Sequence, residues 1–287
     1  MDKLGYLFKK DLPMKIVQAN GASIPALGFG TFRMPGADVL RMLPAVLKLG
    51  YRHIDTAQIY GNEAEVGEGI AQSGVPRNEV FLTTKVWVDS YRRDAFLHSV
   101  DESLRKLRTD HVDLLLLHWP NDKVPLAEQI EALNAVQAAG KTRHIGVSNF
   151  STALMAEAEK LSKTPLVTNQ VEWHPYIDQT IVHEAARRVR MSVTAYYAMA
   201  DGKVFDDVML KSIAARHGKS VAQVVLRWLI QHDGVMALSK TVSEERAASN
   251  AAIFDFELSE PEMAAIRALA RKDGRIVSPP GLAPAWD

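Results

Sequence analysis

From residue 28 onward, short apolar runs alternate with longer segments of helical period. The runs fall at 28–32, 53–56, 80–85, 112–118, 142–147, 166–170, 192–196 and 235–239. Between them, Phe96, Val100, Leu104 and Leu107 keep to one helical face, as do Leu126, Ile130 and Leu133. The stretch Val112-Asp113-Leu114-Leu115-Leu116-Leu117 is nearly continuous in apolar residues, the mark of a strand buried on both faces. Ahead of the first run, residues 15–19 and 23–27 flank Asn20-Gly21, a pair suited to positive φ at both centres of a tight hairpin turn. Ser220 with Gln223, and Ser259 with Glu262, have the spacing of capping boxes. Gly50 and Gly140 stand where helices end. Pro44 conflicts with the first helical pattern, so that helix is expected to start late or to kink.

Eight strands alternating with helices over this length predict an α/β fold, a parallel (β/α)8 barrel, rather than an open doubly wound sheet. The hairpin is expected to close its bottom. Two extra helices are expected, one near 206–217 and one after Ser259. No linker, repeat or low-complexity stretch divides the chain. The expectation is one barrel domain over 14–287, preceded by a loosely held tail at 1–13, with Met14 as an alternative start.

Composition narrows the class. The chain of 287 residues is 47% hydrophobic and 24% charged, which suits a globular protein with a large core. Its 34 basic and 34 acidic residues balance, and no basic block tracks nucleic-acid phosphates. The absence of cysteine excludes disulfides and thiolate chemistry. No apolar run is long enough to span a membrane, and residues 1–12 lack the apolar core of a signal peptide. A cytoplasmic protein acting on a small molecule, with neither nucleic acid nor membrane as partner, is expected.

Chemistry gathers at the strand ends. Asp55 and Tyr60 sit five residues apart where the second run gives way to a helix, and Lys85 and His118 end the next two runs. Singly, Asp55 caps a helix, Tyr60 packs, Lys85 reaches solvent and His118 hydrogen-bonds at the rim. Together, on the rim where such barrels carry catalysis, they form a proton-donating group. A phenol with a reference pKa of about 10 is a poor acid near neutrality. An ammonium beside it is expected to lower that value, with Asp55 holding the ammonium charged. Tyr60 then protonates a carbonyl oxygen that His118 positions.

No glycine-rich dinucleotide motif or P-loop is present. A second anion site is offered where the last run passes into a helix, Ser239-Lys240-Thr241-Val242-Ser243-Glu244-Glu245-Arg246. Ser243 followed by two acids is equally a good helix start, and Asn250 lies one turn beyond Arg246. Ser148, Asn149 and Gln170 end two further strands with groups able to bind a carboxamide or to cap helices. Tyr196 ends another, placed to stack on a flat ring or to pack in the core. Glu172 and His174 make a poor metal pair without a third ligand, so no metal is expected.

These motifs resemble the aldo-keto reductases over nearly the whole chain, from about Val17. The likeness is carried by Asp55-Thr56-Ala57 with Tyr60-Gly61-Asn62-Glu63, Thr84-Lys85-Val86-Trp87, Leu117-His118-Trp119-Pro120, Ile145-Gly146-Val147-Ser148-Asn149-Phe150, Asn169-Gln170 and the segment from Lys240 to Asn250. The resemblance implies NADPH bound across the C-terminal face of the barrel. Asp55, Tyr60, Lys85 and His118 match the catalytic tetrad, with Tyr60 the proton donor. Ser148, Asn149 and Gln170 match the holders of the nicotinamide carboxamide, and Tyr196 the ring that stacks on it. Lys240, Thr241 and Arg246 match a clamp on the 2′-phosphate, and Asn250 an adenine contact. The two cations favour NADPH over NADH. Ser249 stands where the family often has Glu. Phe32, Trp87 and Trp119 are the expected pocket walls, with Trp286 folded over the mouth. Short loops after His118 and Tyr196 resemble those of compact bacterial members of the 2,5-diketo-D-gluconate reductase B and methylglyoxal reductase type, often monomers. The implied reaction is reduction of small aldehydes and ketones. The alternative is an NADPH-binding regulatory or sensing barrel.

Overall fold

In the computed structural model of the chain, residues 14–287 are described; the expected tail at 1–13 lies outside the described residues. Strands β1 (Ile16–Ala19) and β2 (Ala22–Pro25) pair antiparallel, Ile16 opposite Pro25 and Ala19 opposite Ala22. Asn20 and Gly21 turn between them with φ of 44° and 87°, as a two-residue hairpin turn requires. Val17, Ala19, Ala22 and Ile24 are buried. The hairpin is fastened to the segments that lead into later barrel strands: Asn20 Nδ2 donates to the carbonyls of Leu166 and Val189 at 2.7 and 3.1 Å, and Lys15 Nζ to that of Ile230, near the end of a helix, at 2.6 Å. It therefore closes the N-terminal end of the barrel.

The chain then alternates through β3 (Leu27–Gly30), α1 (Gly36–Lys48), β4 (His53–Asp55), α2 (Glu63–Gln72), β5 (Phe81–Val86), α3 (Arg93–Leu107), β6 (Val112–Leu117), α4 (Leu126–Ala138), β7 (Thr142–Ser148), α5 (Thr152–Leu161), β8 (Thr168–Glu172), α6 (Thr180–Arg188) and β9 (Ser192–Tyr196). It finishes with α7 (Val208–His217), α8 (Val221–Gln231), β10 (Val235–Ser239), α9 (Glu244–Ala251) and α10 (Glu260–Arg267). Strands β3 to β10 close a parallel barrel, with β10 pairing β3 through Ala237 opposite Leu27. The expected (β/α)8 barrel, N-terminal hairpin and extra helices α7 and α10 are all present.

Every residue of β6 is buried. The one charge in it, Asp113, is satisfied by Arg77 at 2.9 Å, Arg143 at 3.2 Å and the Leu82 amide at 3.0 Å, as a buried carboxylate requires. Phe96, Val100, Leu104 and Leu107 of α3 face the core. Ser220 and Gln223 cap α8 reciprocally, and Ser259 donates to Glu262 at 2.9 Å at the head of α10. Gly50 and Gly140 follow α1 and α4 with positive φ. Two boundaries differ from expectation. Helix α1 starts at Gly36 and runs through Pro44; a single missing amide does not outweigh its buried face, Val39, Met42, Leu43, Val46 and Leu47. Strand β8 begins two residues later than the apolar run, which carries Glu172 into the sheet.

Candidate active site

The C-terminal strand ends place Asp55, Lys85 and His118 on one rim, and a short 3-10 turn at Gln58–Tyr60 brings Tyr60 over them. Neighbouring side chains hold that turn. Gln58 donates to Ser99 and Ser103 and accepts from the Trp87 amide at 2.9 Å. Asn62 donates to the carbonyls of Thr31 and Met34 at 2.9 and 3.2 Å. Glu63, buried, accepts from Thr84 at 2.7 Å and Ser103 at 3.2 Å. The Asn-Glu pair after Tyr60 is thus scaffold.

Lys85 is fully buried, and its ammonium directs all three donors: to Asp55 Oδ1 at 2.6 Å, the Thr56 carbonyl at 2.8 Å and the Tyr60 phenol oxygen at 3.3 Å. Since Lys85 donates to the phenol oxygen, the phenol proton is left for an acceptor in the cavity. Burial lowers the pKa of Lys85, and Asp55 partly restores it. The expected lowering of the Tyr60 pKa is not what the structure gives. Burial first, and the Asp55 carboxylate second, hold it well above 10. Excluded water disfavours the phenolate, and the neighbouring Asp55 carboxylate adds like-charge repulsion. His118 is driven well below its usual range by burial and then by Lys85, so its imidazole is neutral. Its Nδ1 is buried without a partner. Its ring meets Tyr60 and Trp87 edge-on, at centroid distances of 5.7 and 5.2 Å.

Beside this group, Ser148 donates to the Gln170 carbonyl at 2.8 Å, Asn149 to the His118 carbonyl at 2.9 Å, and the Tyr196 phenol to Asn149 Oδ1 at 2.6 Å. Gln170 Nε2 donates to Asp55 Oδ2 at 2.8 Å. That link joins the expected carboxamide-binding residues to the expected proton donor; no motif signalled it. At the head of α9, Ser243 caps the helix and Thr241 accepts from the Ser243 amide at 3.1 Å. Lys240 and Arg246 are exposed and, among the described residues, form no ion pair; Asn250 is buried one turn beyond Arg246.

A cavity of about 700 Å³ runs over the rim. Asp55, Tyr60, His118, Ser148, Asn149, Gln170, Tyr196, Lys240 and Asn250 all line it, with Phe32, Trp87 and Trp119 as walls. Lys85 lies beneath it, while Thr241 and Arg246 lie outside its lining. Two further walls come from segments the sequence left unassigned, Tyr197 to Asp201 after β9 and Ile276 to Pro279 in the tail. The Asp201-Gly202 and Pro279-Pro280 pairs are local turn signals within or beside them. Trp286 meets Trp119 edge-on at 6.2 Å instead of lining the cavity itself.

The sequence profile of the aldo/keto reductase family matches residues 26–271. This chain belongs to that family. Among its relatives, methylglyoxal reductase DkgB of Salmonella typhimurium is 43% identical over 268 residues, covering 92% of this chain and 100% of that one. A crystal structure described as a candidate 2,5-diketo-D-gluconic acid reductase B superposes with a TM-score of 0.95 at 67% identity, covering 96% and 98% of the two chains. The Bombyx mori aldo-keto reductase in complex with NADP superposes at 0.85 with 33% identity, covering 89% and 92%. As an aldo/keto reductase the chain is an NADP-dependent oxidoreductase of carbonyl compounds. The residues present fit that cofactor. The cavity reaches from Tyr60 past Tyr196 to Lys240 and Asn250, and two cations without ion partners among the described residues stand at the head of α9. Among the described residues, no helix is long and apolar enough to cross a membrane.

Proposed function

We propose that this chain reduces small, uncharged dicarbonyls of the methylglyoxal type with NADPH, Tyr60 donating the proton. The observation that carries this reading is a phenol kept protonated and aimed into a cavity with apolar walls. Phe32, Ile59, Trp87 and Trp119 surround Tyr60 and His118. Among the described residues, the one cation lining the cavity outside the cofactor-binding set is Arg33, which bonds Tyr197 at 3.3 Å and stands 4.0 Å from Asp201. A substrate carboxylate would compete with those partners for Arg33; the name of the Salmonella relative points to an uncharged substrate, that of the 67%-identical structure to a charged one.

NADPH, when bound, supplies the hydride. Lys240 and Arg246 hold its 2′-phosphate, Asn250 its adenine, and Tyr196 with Ser148, Asn149 and Gln170 its nicotinamide. Neutral His118 offers its remaining nitrogen to the carbonyl oxygen and orients it. Tyr60 gives its proton to that oxygen, and the Lys85 ammonium, fixed by Asp55, steadies the charge left on the phenol. A regulatory barrel without turnover finds no support among the relatives.

Purified protein with NADPH is expected to favour methylglyoxal over 2,5-diketo-D-gluconate by at least about tenfold in kcat/KM, since an unpartnered polar group costs roughly 1–3 kcal/mol. The reverse order, or no turnover of either, overturns the reading. The cofactor assignment has its own test. Lys240→Ala with Arg246→Ala is expected to weaken NADPH binding by roughly 100-fold or more and NADH binding by less than about threefold, because each charge-assisted bond is worth about 1.5–3 kcal/mol. Fluorescence titration measures both, and equal losses count against the clamp.

A further inference from the structure

Glu172 and His174 take no part in the chemistry above, yet both are fully buried at the rim. Glu172 ends β8. Its Oε1 accepts from His174 Nε2 at 2.8 Å and from the Ile276 amide at 2.8 Å, and its Oε2 accepts from the Val277 amide at 2.9 Å. His174 Nδ1 in turn accepts from the Tyr176 amide at 3.3 Å. The ring is therefore the neutral tautomer protonated on Nε2, with both nitrogens engaged. Burial alone raises the pKa of Glu172, but the imidazole and the two amides outweigh it and the net shift is downward. The group is a carboxylate facing only donors.

The two amide donors belong to the tail. Residues 268–287 contain no helix or strand, so their position depends on such contacts. The Arg271 amide donates to the Tyr176 carbonyl at 3.2 Å. At Gly274 the tail passes so close that a Cβ would lie 1.6 Å from that carbonyl oxygen. The Arg275 guanidinium stands 3.8 Å from Glu172 and 3.6 Å from the centre of the Trp286 ring. Asp287 accepts from the Thr152 amide and hydroxyl at 2.9 and 2.7 Å. Between these fastenings, Ile276 to Pro279 face the cavity.

We propose that Glu172 is a positioning residue for substrate specificity: its carboxylate, oriented by His174, seats Ile276 and Val277 as the wall that sets the size of the carbonyl-binding end of the cavity. This rests on the carbonyl-reductase reading. Among the described residues, those two amides bond to Glu172 alone. Glu172 bonds to neither Tyr60 nor Lys85, so its influence on the reaction passes through the wall.

Glu172→Gln tests this with little change of shape. Every partner of the carboxylate is a donor, so the new NH2 group meets an N–H wherever it is turned. Hydrogen exchange of the Ile276 and Val277 amides is expected to quicken by about 100-fold while the barrel amides of Leu115 and Val193 keep their protection, the pattern of a local opening. KM for methylglyoxal is expected to rise about tenfold with kcat within about threefold and NADPH affinity within about twofold, the split that follows loss of substrate seating rather than of chemistry. Gly274→Ala, which displaces the tail and leaves Glu172 intact, is expected to give the same split and serves if the first variant fails to fold. Unchanged exchange at Ile276 and Val277, or faster exchange with unchanged KM, overturns the proposal. Exchange is read without substrate. A wild-type chain that turns over no carbonyl therefore defeats the functional reading, while protected tail amides in Glu172→Gln defeat this one.

Discussion

Tyr60→Phe is expected to lower kcat for carbonyl reduction by about 10²- to 10⁴-fold, the range of a lost general acid, and to leave NADPH affinity within about twofold. The substitution removes one oxygen. The ring keeps its contacts with Phe32 at 5.0 Å and His118 at 5.7 Å, and Lys85 keeps its bonds to Asp55 and Thr56 at 2.6 and 2.8 Å. Fold and cofactor groove are therefore preserved while the proton is withdrawn, and steady-state rates with a cofactor titration check both halves. Unchanged turnover refutes the role of Tyr60. The wild type carries a related signature in its pH profile. Because burial and Asp55 raise the Tyr60 pKa, the phenol stays protonated throughout the neutral range, and kcat/KM for reduction is expected to be flat from about pH 6 to 9. A fall beginning near pH 7 would mean that the ammonium wins after all.

Lys85→Met is expected to abolish turnover and to destabilise the fold by about 3–5 kcal/mol, the cost of stranding one partner of a buried ion pair. Asp55 is 2% exposed; without Lys85 its carboxylate retains the Gln170 amide at 2.8 Å and no cation. Thermal unfolding reads the loss, at roughly 2–4 °C per kcal/mol for a chain of this order of size. The sign of its pH dependence follows. A stranded buried carboxylate has a raised folded-state pKa, so the folded variant takes up a proton more readily than the unfolded chain. Its deficit relative to wild type should therefore shrink as pH falls from about 8 to 5. A variant that melts with the wild type at pH 8 refutes the ion pair's structural weight.

What the sequence revealed was whatever had a period or a local cap. Strands and helices followed from apolar spacing, the hairpin from Asn20-Gly21, the α8 and α10 starts from serine with Gln223 or Glu262. Asp55, Tyr60, Lys85 and His118 were visible because each stands at or just beyond a strand end, and in a closed barrel all strand ends share one rim. The cavity walls at Tyr197 to Asp201 and Ile276 to Pro279 were not visible, since irregular backbone carries no period. The direction of the Tyr60 shift was missed for a different reason. Residue types reveal which charges are near, but only coordinates reveal how much water is excluded. The pair Glu172 and His174 was seen and declined as a metal site. Its partners, the Ile276 and Val277 amides, lie over a hundred residues away and are backbone groups that no side-chain motif announces.

The polar group beneath the cavity is closed on itself. Lys85 has no donor left after Asp55, Thr56 and Tyr60, and Asp55 divides its oxygens between Lys85 and Gln170. On the proposed mechanism, traffic of protons is then one-way. A proton passed from Lys85 to the phenolate would only move the deficit to Lys85, whose other partners, the Asp55 carboxylate and the Thr56 carbonyl, are acceptors with no proton to return; the net replacement is drawn from the mouth, so each turnover waits on water reaching Tyr60 along the path by which product leaves.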